Sequence, residues 1–334
     1  MSRDAASSGV LGPVLIVDFL PAEPDIRWDY ALQCGVTHAV TKLHPELTGK
    51  PSPVELSVLA EAQSRFREAG ITLIGLEGDQ FDMARIKEGL PGRDEDLDAY
   101  RQMLRNMGGL GIRLLCYNFM ARFGWHRTAT NVPTRGGAYV SGFRLEDSRN
   151  LDGDSVDERS LWENYEYFVR EVIPTASEAG VRMALHPDDP PVSPLRGVAR
   201  IFRTPEALLR AMSLSDEPAH GLTLCQGTLA AMRGDTVAQA QQLLATQRVR
   251  FLHFRDVEGD PDDFVETFHD AGPTDMAEMI RLYREFDFDG PVRIDHVPTM
   301  AGEDNAEPGY GCYGRLFAVG YLKGLLEGAH IAYQ

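Results

Sequence analysis

Eight short apolar runs punctuate the chain. They lie within GPVLIVDFL from Gly12, CGVTHAVTKLH from Cys34, AGITLIGLE from Ala69, LGIRLLCYN from Leu110, AGVRMALHP from Ala179, HGLTLCQG from His220, RVRFLHFRD from Arg248 and GPVRIDHVP from Gly290. They are rich in β-branched and aliphatic residues and lack strict polar alternation, the pattern of strands buried on both faces. Helical stretches alternate with them, over Ser52–Gly70, Asp94–Gly111, Ser160–Gly180, Thr204–Leu214, Asp235–Gln247 and Asp275–Phe286. Several open on a capping residue, and the first three close on glycine. The C-terminal LFAVGYLKGLLEG fits an eighth helix better than an interface. Strand–helix alternation of this length predicts right-handed crossovers and a parallel sheet, and eight repeats predict a closed (β/α)8 TIM barrel of the α/β class. A doubly wound open sheet is disfavoured, because no G-x-G-x-x-G follows the first run. The expected organisation is a flexible tail over residues 1–12 and one barrel domain over 13–334. A loop excursion is expected at 122–157, where Gly, Asn, Asp and Arg replace the periodic pattern.

Composition narrows the function. The 334 residues are 43% hydrophobic and 25% charged, enough for a sizeable core, with a formal net charge of −17. Such a surface repels nucleic acid and anionic membranes. A small anionic substrate remains compatible with it, because local cations or a metal reverse the field inside a cleft. No run is long enough to span a bilayer, and the polar start MSRDAASSGVLG has no secretory apolar region. The four cysteines are scattered, which points to a reducing, cytoplasmic setting. A homo-oligomer is neither indicated nor excluded.

Barrel enzymes carry their chemistry at the carboxyl ends of the strands. Here those ends are Glu77, Asn118, His186, Cys225, His253 and Asp295, with His44 just past the second run. Singly, a buried cysteine is a small hydrophobe and a strand histidine is a hydrogen-bonded core residue. Two histidines, a thiol and a carboxylate on four consecutive strands form a set that suits a borderline divalent cation: Mn2+, Fe2+, Co2+ or Zn2+. Thiolate argues against Mg2+ and Ca2+. His296 follows Asp295, and Tyr310 lies in the Gly-rich EPGYGCYGR; both are side chains suited to proton transfer. Arg255, His44, Asn118, Lys42 and His126 are the candidate substrate-binding residues.

The stretches CYNFMARFGWHRT, RMALHPDDPP, GLTLCQGTL, FLHFRDV, FHDAGPTDM, RIDH and PGYGCYGRLFAVGYLKGLLEG, between about Tyr100 and Gly328, resemble the mannonate dehydratase family of xylose-isomerase-like barrels. TKLH, ending at His44, is a looser match. The resemblance implies dehydration of a hexonate such as D-mannonate to a 2-keto-3-deoxy acid with a divalent metal, usually manganese. It implies His186, Cys225, His253 and Asp295 as ligands, with His296 and Tyr310 in acid–base work. The chain departs from that pattern in a shortened lid before Leu161, in Val297 after Asp-His, in Lys42 where a small residue is usual, and in its first strand. The alternative on the same barrel is a metal-dependent isomerase or epimerase of a sugar or keto-sugar. A non-catalytic binder has no need of this set of groups.

Overall fold

The computed structural model describes residues 13–151 and 155–334. The flexible tail expected over residues 1–12 lies outside the described residues. In chain order the strands are β1 (Leu15–Phe19), β2 (His38–Thr41), β3 (Thr72–Glu77), β4 (Leu114–Tyr117), β5 (Ala129–Pro133), β6 (Tyr139–Arg144), β7 (Arg182–Leu185), β8 (His220–Cys225), β9 (Val249–Phe254), β10 (Val257–Asp260), β11 (Asp263–Glu266) and β12 (Pro291–Ile294). Eight of them close into a barrel in the order β1-β12-β9-β8-β7-β4-β3-β2, and every neighbouring pair is parallel. Each barrel strand falls within one of the eight apolar runs.

Side-chain alternation divides the core into two layers. Val17, Val40, Leu114, Cys116, Ala184 and Phe251 point inward and fill the barrel. Their strand neighbours Ile16, Leu115, Met183 and Leu224 point outward, into the layer shared with Phe66, Phe168, Leu208 and Leu322 of the helices. Near-continuous apolar character follows from having both faces covered.

The helices begin where their caps dictate. Asp157, Thr204, Asp235 and Asp275 each accept a backbone N–H from the first turn of the helix that follows, satisfying a donor with no intrahelical partner. The helix expected from Ser52 begins only at Leu56, because Ser52 Oγ accepts instead from Val54 N, within a turn. No helix among the described residues is long and apolar enough to cross a membrane.

The described residues of the excursion at 122–157 are more ordered than their composition suggests. They contribute β5 and β6 to a four-stranded antiparallel sheet, order β10-β11-β6-β5. The other half is the hairpin β10–β11, which follows β9 in the barrel. Each hairpin alone is marginal; together they bury Phe143, Val257 and Phe264 against Val192, Leu195 and Ala231. Tyr139 and Thr299 exchange backbone hydrogen bonds of 3.0 and 2.8 Å, fastening this sheet to the loop after β12. The sheet therefore ties three barrel connections together at the carboxyl ends of the strands.

Candidate active site

At those ends the register aligns the chemistry. Cys225 on β8 pairs with His253 on β9, and His253 pairs with Arg293 on β12. The cavity above them has a volume of about 240 Å³. The ligand-type atoms of His186, Cys225 and His253 lie within 4.8 Å of one another. Asp295 Oδ2 is 3.6 Å from His253 Nδ1 and 3.8 Å from Cys225 Sγ, so it borders this group. His253 Nδ1 is buried and has no hydrogen-bond partner, a costly state for a ring nitrogen unless a ligand completes it. His186 Nδ1 lies 2.6 Å from the Pro187 carbonyl. That contact requires a proton on Nδ1, which leaves the Nε2 lone pair for a cation. Thr228 Oγ1, at 3.1 Å, and the Arg255 guanidinium, at 3.5 Å, both face the sulfur of Cys225 as donors. Two imidazoles, a sulfur and a carboxylate fit a borderline divalent ion.

Glu77, Cys116 and His253 form a second close group. Glu77 Oε2 is buried without a partner, 3.7 Å from His253 Nε2. The Arg293 guanidinium lies 2.8 Å from the same carboxylate. Burial, then the Glu77 charge, pushes the Cys116 thiol well above its ordinary range. A protonated thiol beside a guanidinium is a poor seat for a second cation, so this corner backs His253 instead.

Below the cavity lies a buried charge network. Arg255 donates to Asp295 at 2.8 Å and to Glu266 at 2.7 Å, and it pairs closely with Asp189. Arg127, from the excursion, bridges Asp189 and Glu266 at 2.6 Å each. Arg293 donates to Asp295 at 2.7 Å. Burial alone would raise these carboxylates, but the surrounding guanidiniums prevail. Asp189 and Asp295 are held below the usual carboxylate range, and Glu266 is brought to about 2. With each carboxylate paired to a guanidinium, the network forms the floor of the cavity; one missing member would leave a buried charge uncompensated.

His296 and Tyr310 stand beside the ligand group on the cavity wall. Their rings meet edge-on at 5.5 Å, and Trp125 covers His296 at 4.7 Å. Gly309 adopts φ +86°, and a Cβ there would come 3.3 Å from His296 Cδ2, so the loop carrying Tyr310 rests on the imidazole. Burial pushes the half-buried Tyr310 phenol above its ordinary value of 10, against the pull of Arg293, and the phenol keeps its proton near neutrality.

The remaining candidates divide. Lys42 and Asn118 line the cavity. Asn118 Oδ1 accepts from Lys87 Nζ at 2.9 Å and from Met120 N at 3.0 Å, and Lys87 is paired with Asp79 at 2.6 Å. Lys42 makes no ion pair or hydrogen bond among the described residues. Arg255 is 1% exposed and lies beneath the cavity. His44 lies outside the lining and caps the short helix Pro45–Thr48, its Nδ1 accepting from Glu46 N at 3.2 Å. His126 is also outside it, with Nε2 3.2 Å from Ser148 Oγ and its ring against Phe123 and Phe143. Four residues were missed: Glu77 as a site residue, Arg293, Trp125 and Glu266. Arg293 had a signal, since it precedes Asp295 by two on the same strand face and puts a charge in an otherwise apolar run. Glu266 had none.

The D-mannonate dehydratase (UxuA) family model matches residues 22–155 and 148–334. A mannonate dehydratase of Streptococcus equi subsp. zooepidemicus is 34% identical over 323 residues, covering 88% of each chain. The crystal structure of mannonate dehydratase from Streptococcus suis superposes with a TM-score of 0.87 at 30% identity, covering 96% of each chain. A D-allulose 3-epimerase from Methylomonas sp. superposes with a TM-score of 0.62 at 12% identity, covering 94% of this chain and 98% of that one; this likeness carries the barrel alone.

Proposed function

This chain belongs to the D-mannonate dehydratase family and is a sugar-acid hydro-lyase, and we propose that it works with one divalent ion, manganese by first choice, held by His186, Cys225, His253 and Asp295. The observation that carries this reading is the unpartnered, buried His253 Nδ1, with Cys225 and Asp295 converging beside it. When bound, the ion supplies Lewis acidity toward the carboxylate and neighbouring hydroxyl of a hexonate such as D-mannonate, which makes the α-hydrogen more acidic.

The chain's own residues do the rest. His296 presents Nε2, which has no hydrogen bond to a described residue, and removes the proton from C2. Tyr310, holding its proton, donates to the C3 hydroxyl as the C3–O bond breaks and water leaves. The enol formed tautomerises to the 2-keto-3-deoxy acid. Lys42 follows β2, four strands from β8 in either direction around the barrel. A substrate anchored on the Cys225 wall therefore extends toward Lys42, whose free ammonium draws in the anion and donates to its hydroxyl groups. Trp125 and the four-stranded antiparallel sheet over the carboxyl ends of the barrel strands, the cap sheet, limit water at the reacting carbons. Four unpaired cysteines support a cytoplasmic setting.

The test is an assay of purified protein with Mn2+ against a panel of aldonates, following 2-keto-3-deoxy product. Turnover of D-mannonate that is abolished by chelation and restored by Mn2+ is expected. Silence across the panel with the ion bound would overturn the reading.

A further inference from the structure

The cap sheet reaches the reaction through one carboxylate. Glu266 ends β11, outside the barrel, yet it is only 3% exposed. Its Oε1 lies 3.1 Å from His296 Nδ1. The other nitrogen, Nε2, has Asp295 Oδ1 as its nearest carboxylate, at 3.7 Å, too far for a hydrogen bond. We propose that Glu266 is a positioning residue for His296: by accepting from Nδ1–H it fixes the ring's tautomer and orientation, so that Nε2 is the nitrogen offered to the substrate.

Arg127 and Arg255 both donate to Glu266. Their charges overcome the effect of burial and keep this carboxyl ionised. An ionised carboxylate only accepts hydrogen bonds, so at 3.1 Å a hydrogen must sit on His296 Nδ1, and in the neutral ring Nε2 is then the nitrogen with the lone pair. Trp125 on one side of the ring, with Tyr310 and Gly309 near it, limits rotation that would exchange the two nitrogens. Glu266 and Trp125 come from two separate barrel connections, joined by the pairing of β6 with β11 and by the Arg127–Glu266 ion pair. The cap sheet thus acts as a brace for the imidazole as well as a cover.

This inference rests on the proposed role of His296, and the test separates the two. Glu266→Asp keeps the charge that Arg127 and Arg255 require but draws the carboxylate back from His296. Glu266→Gln keeps the reach and loses the charge. Each is made in the wild-type chain and in His296→Asn, with bound ion measured throughout. In the wild-type background Glu266→Asp is expected to lower kcat by about tenfold or more, on the scale of general-base effects, with KM within about twofold. On the His296→Asn background it is expected to cost nothing further. Nitrogen-15 spectra of histidine-labelled, zinc-loaded protein should show a single Nδ1–H form for His296, assigned by its loss in His296→Asn, and a mixed or Nε2–H form in Glu266→Asp. Equal losses in both backgrounds with an unchanged tautomer would overturn the proposal, as would an Nε2–H form in the wild type. If Glu266→Gln fails to fold, the Glu266→Asp cycle and the wild-type spectrum still decide. Full activity of His296→Asn would sink the role of His296 and leave the tautomer measurement to judge the brace.

Discussion

In the proposed site, Cys225 and Lys42 separate holding the ion from holding the substrate. Cys225→Ser leaves Thr228 and Arg255 facing a side chain of similar size but replaces a soft sulfur with a neutral hydroxyl, a poor ligand. Cys225→Ser should weaken ion binding by more than the roughly 10–100-fold that loss of a supporting partner costs. Metal analysis after dialysis, with the protein still folded, checks this, and retention of full ion content would undercut the proposed ligand set. Lys42 lines the other wall. A charge-assisted hydrogen bond is worth about 1.5–3 kcal/mol, so Lys42→Met should raise KM for D-mannonate by about 10–100-fold and leave kcat within a few-fold. A loss confined to kcat would place Lys42 in the chemistry instead. At this scale, strand ends are the legible positions. The backbone aims them, and His186, Cys225, His253 and Asp295 converge. His44 and His126 sit past strand ends, where the loop decides the direction, and they turn to a helix cap and to Ser148.

The cap sheet is the element on which the site's floor depends. Arg127 is the strut that the excursion inserts beneath the cavity, with a side chain 1% exposed between Asp189 and Glu266. Removing one partner of a buried ion pair costs about 3–5 kcal/mol, because the other charge stays buried. Arg127→Ala should therefore lower stability by about that much in urea unfolding. Arg135 pairs with Asp270 at 2.9 Å on the same excursion but is half exposed, and Arg135→Ala should cost about 0–1 kcal/mol. Equal effects would mean that the floor is not stressed as its burial implies. The cap sheet was also the least legible element. Barrel strands announce themselves by being apolar on both faces, and helices by caps such as Thr204 and Asp235. By contrast, β5 has exposed positions at Thr130 and Asn131, and β6, YVSGFR, breaks its apolar character with Ser141 and Gly142. Their order comes from β11, far along the chain, and no local pattern carries that pairing. Glu266 was hidden for the same reason: its function is set by a partner met only after the fold has closed.

For the whole molecule, the pH response is decided by the groups that folding keeps from their solution protonation state, more than by the net charge of −17. His220 on β8 is fully buried, with Nε2 3.2 Å from the Tyr165 hydroxyl and Nδ1 without a partner. Burial lowers it from 6.5 to about 4. His269, bonded through Nε2 to the Phe254 carbonyl at 2.8 Å, is lowered by burial over the same range. Both are neutral in the folded chain, and the unfolded chain takes up protons first as the pH falls. A lowered folded-state pKa contributes stability that is complete above about 6.5 and lost as the pH drops toward about 4, by up to about 3 kcal/mol for each histidine. Glu266, brought from 4.5 to about 2 by its arginines, extends the loss to lower pH. Protonation of surface carboxylates relieves self-repulsion and opposes this, but it begins near pH 4–5, after the histidine loss is under way. Urea midpoints should therefore fall steadily between pH 6.5 and 4. In His220→Asn the fall should be shallower, because one of the two imidazoles lowered to about 4 is gone, whatever that change costs at neutral pH. An equal slope in the two proteins would mean that His220 is hydrated or protonated in the fold, and acid sensitivity would then have to originate in the charge network beneath the cavity.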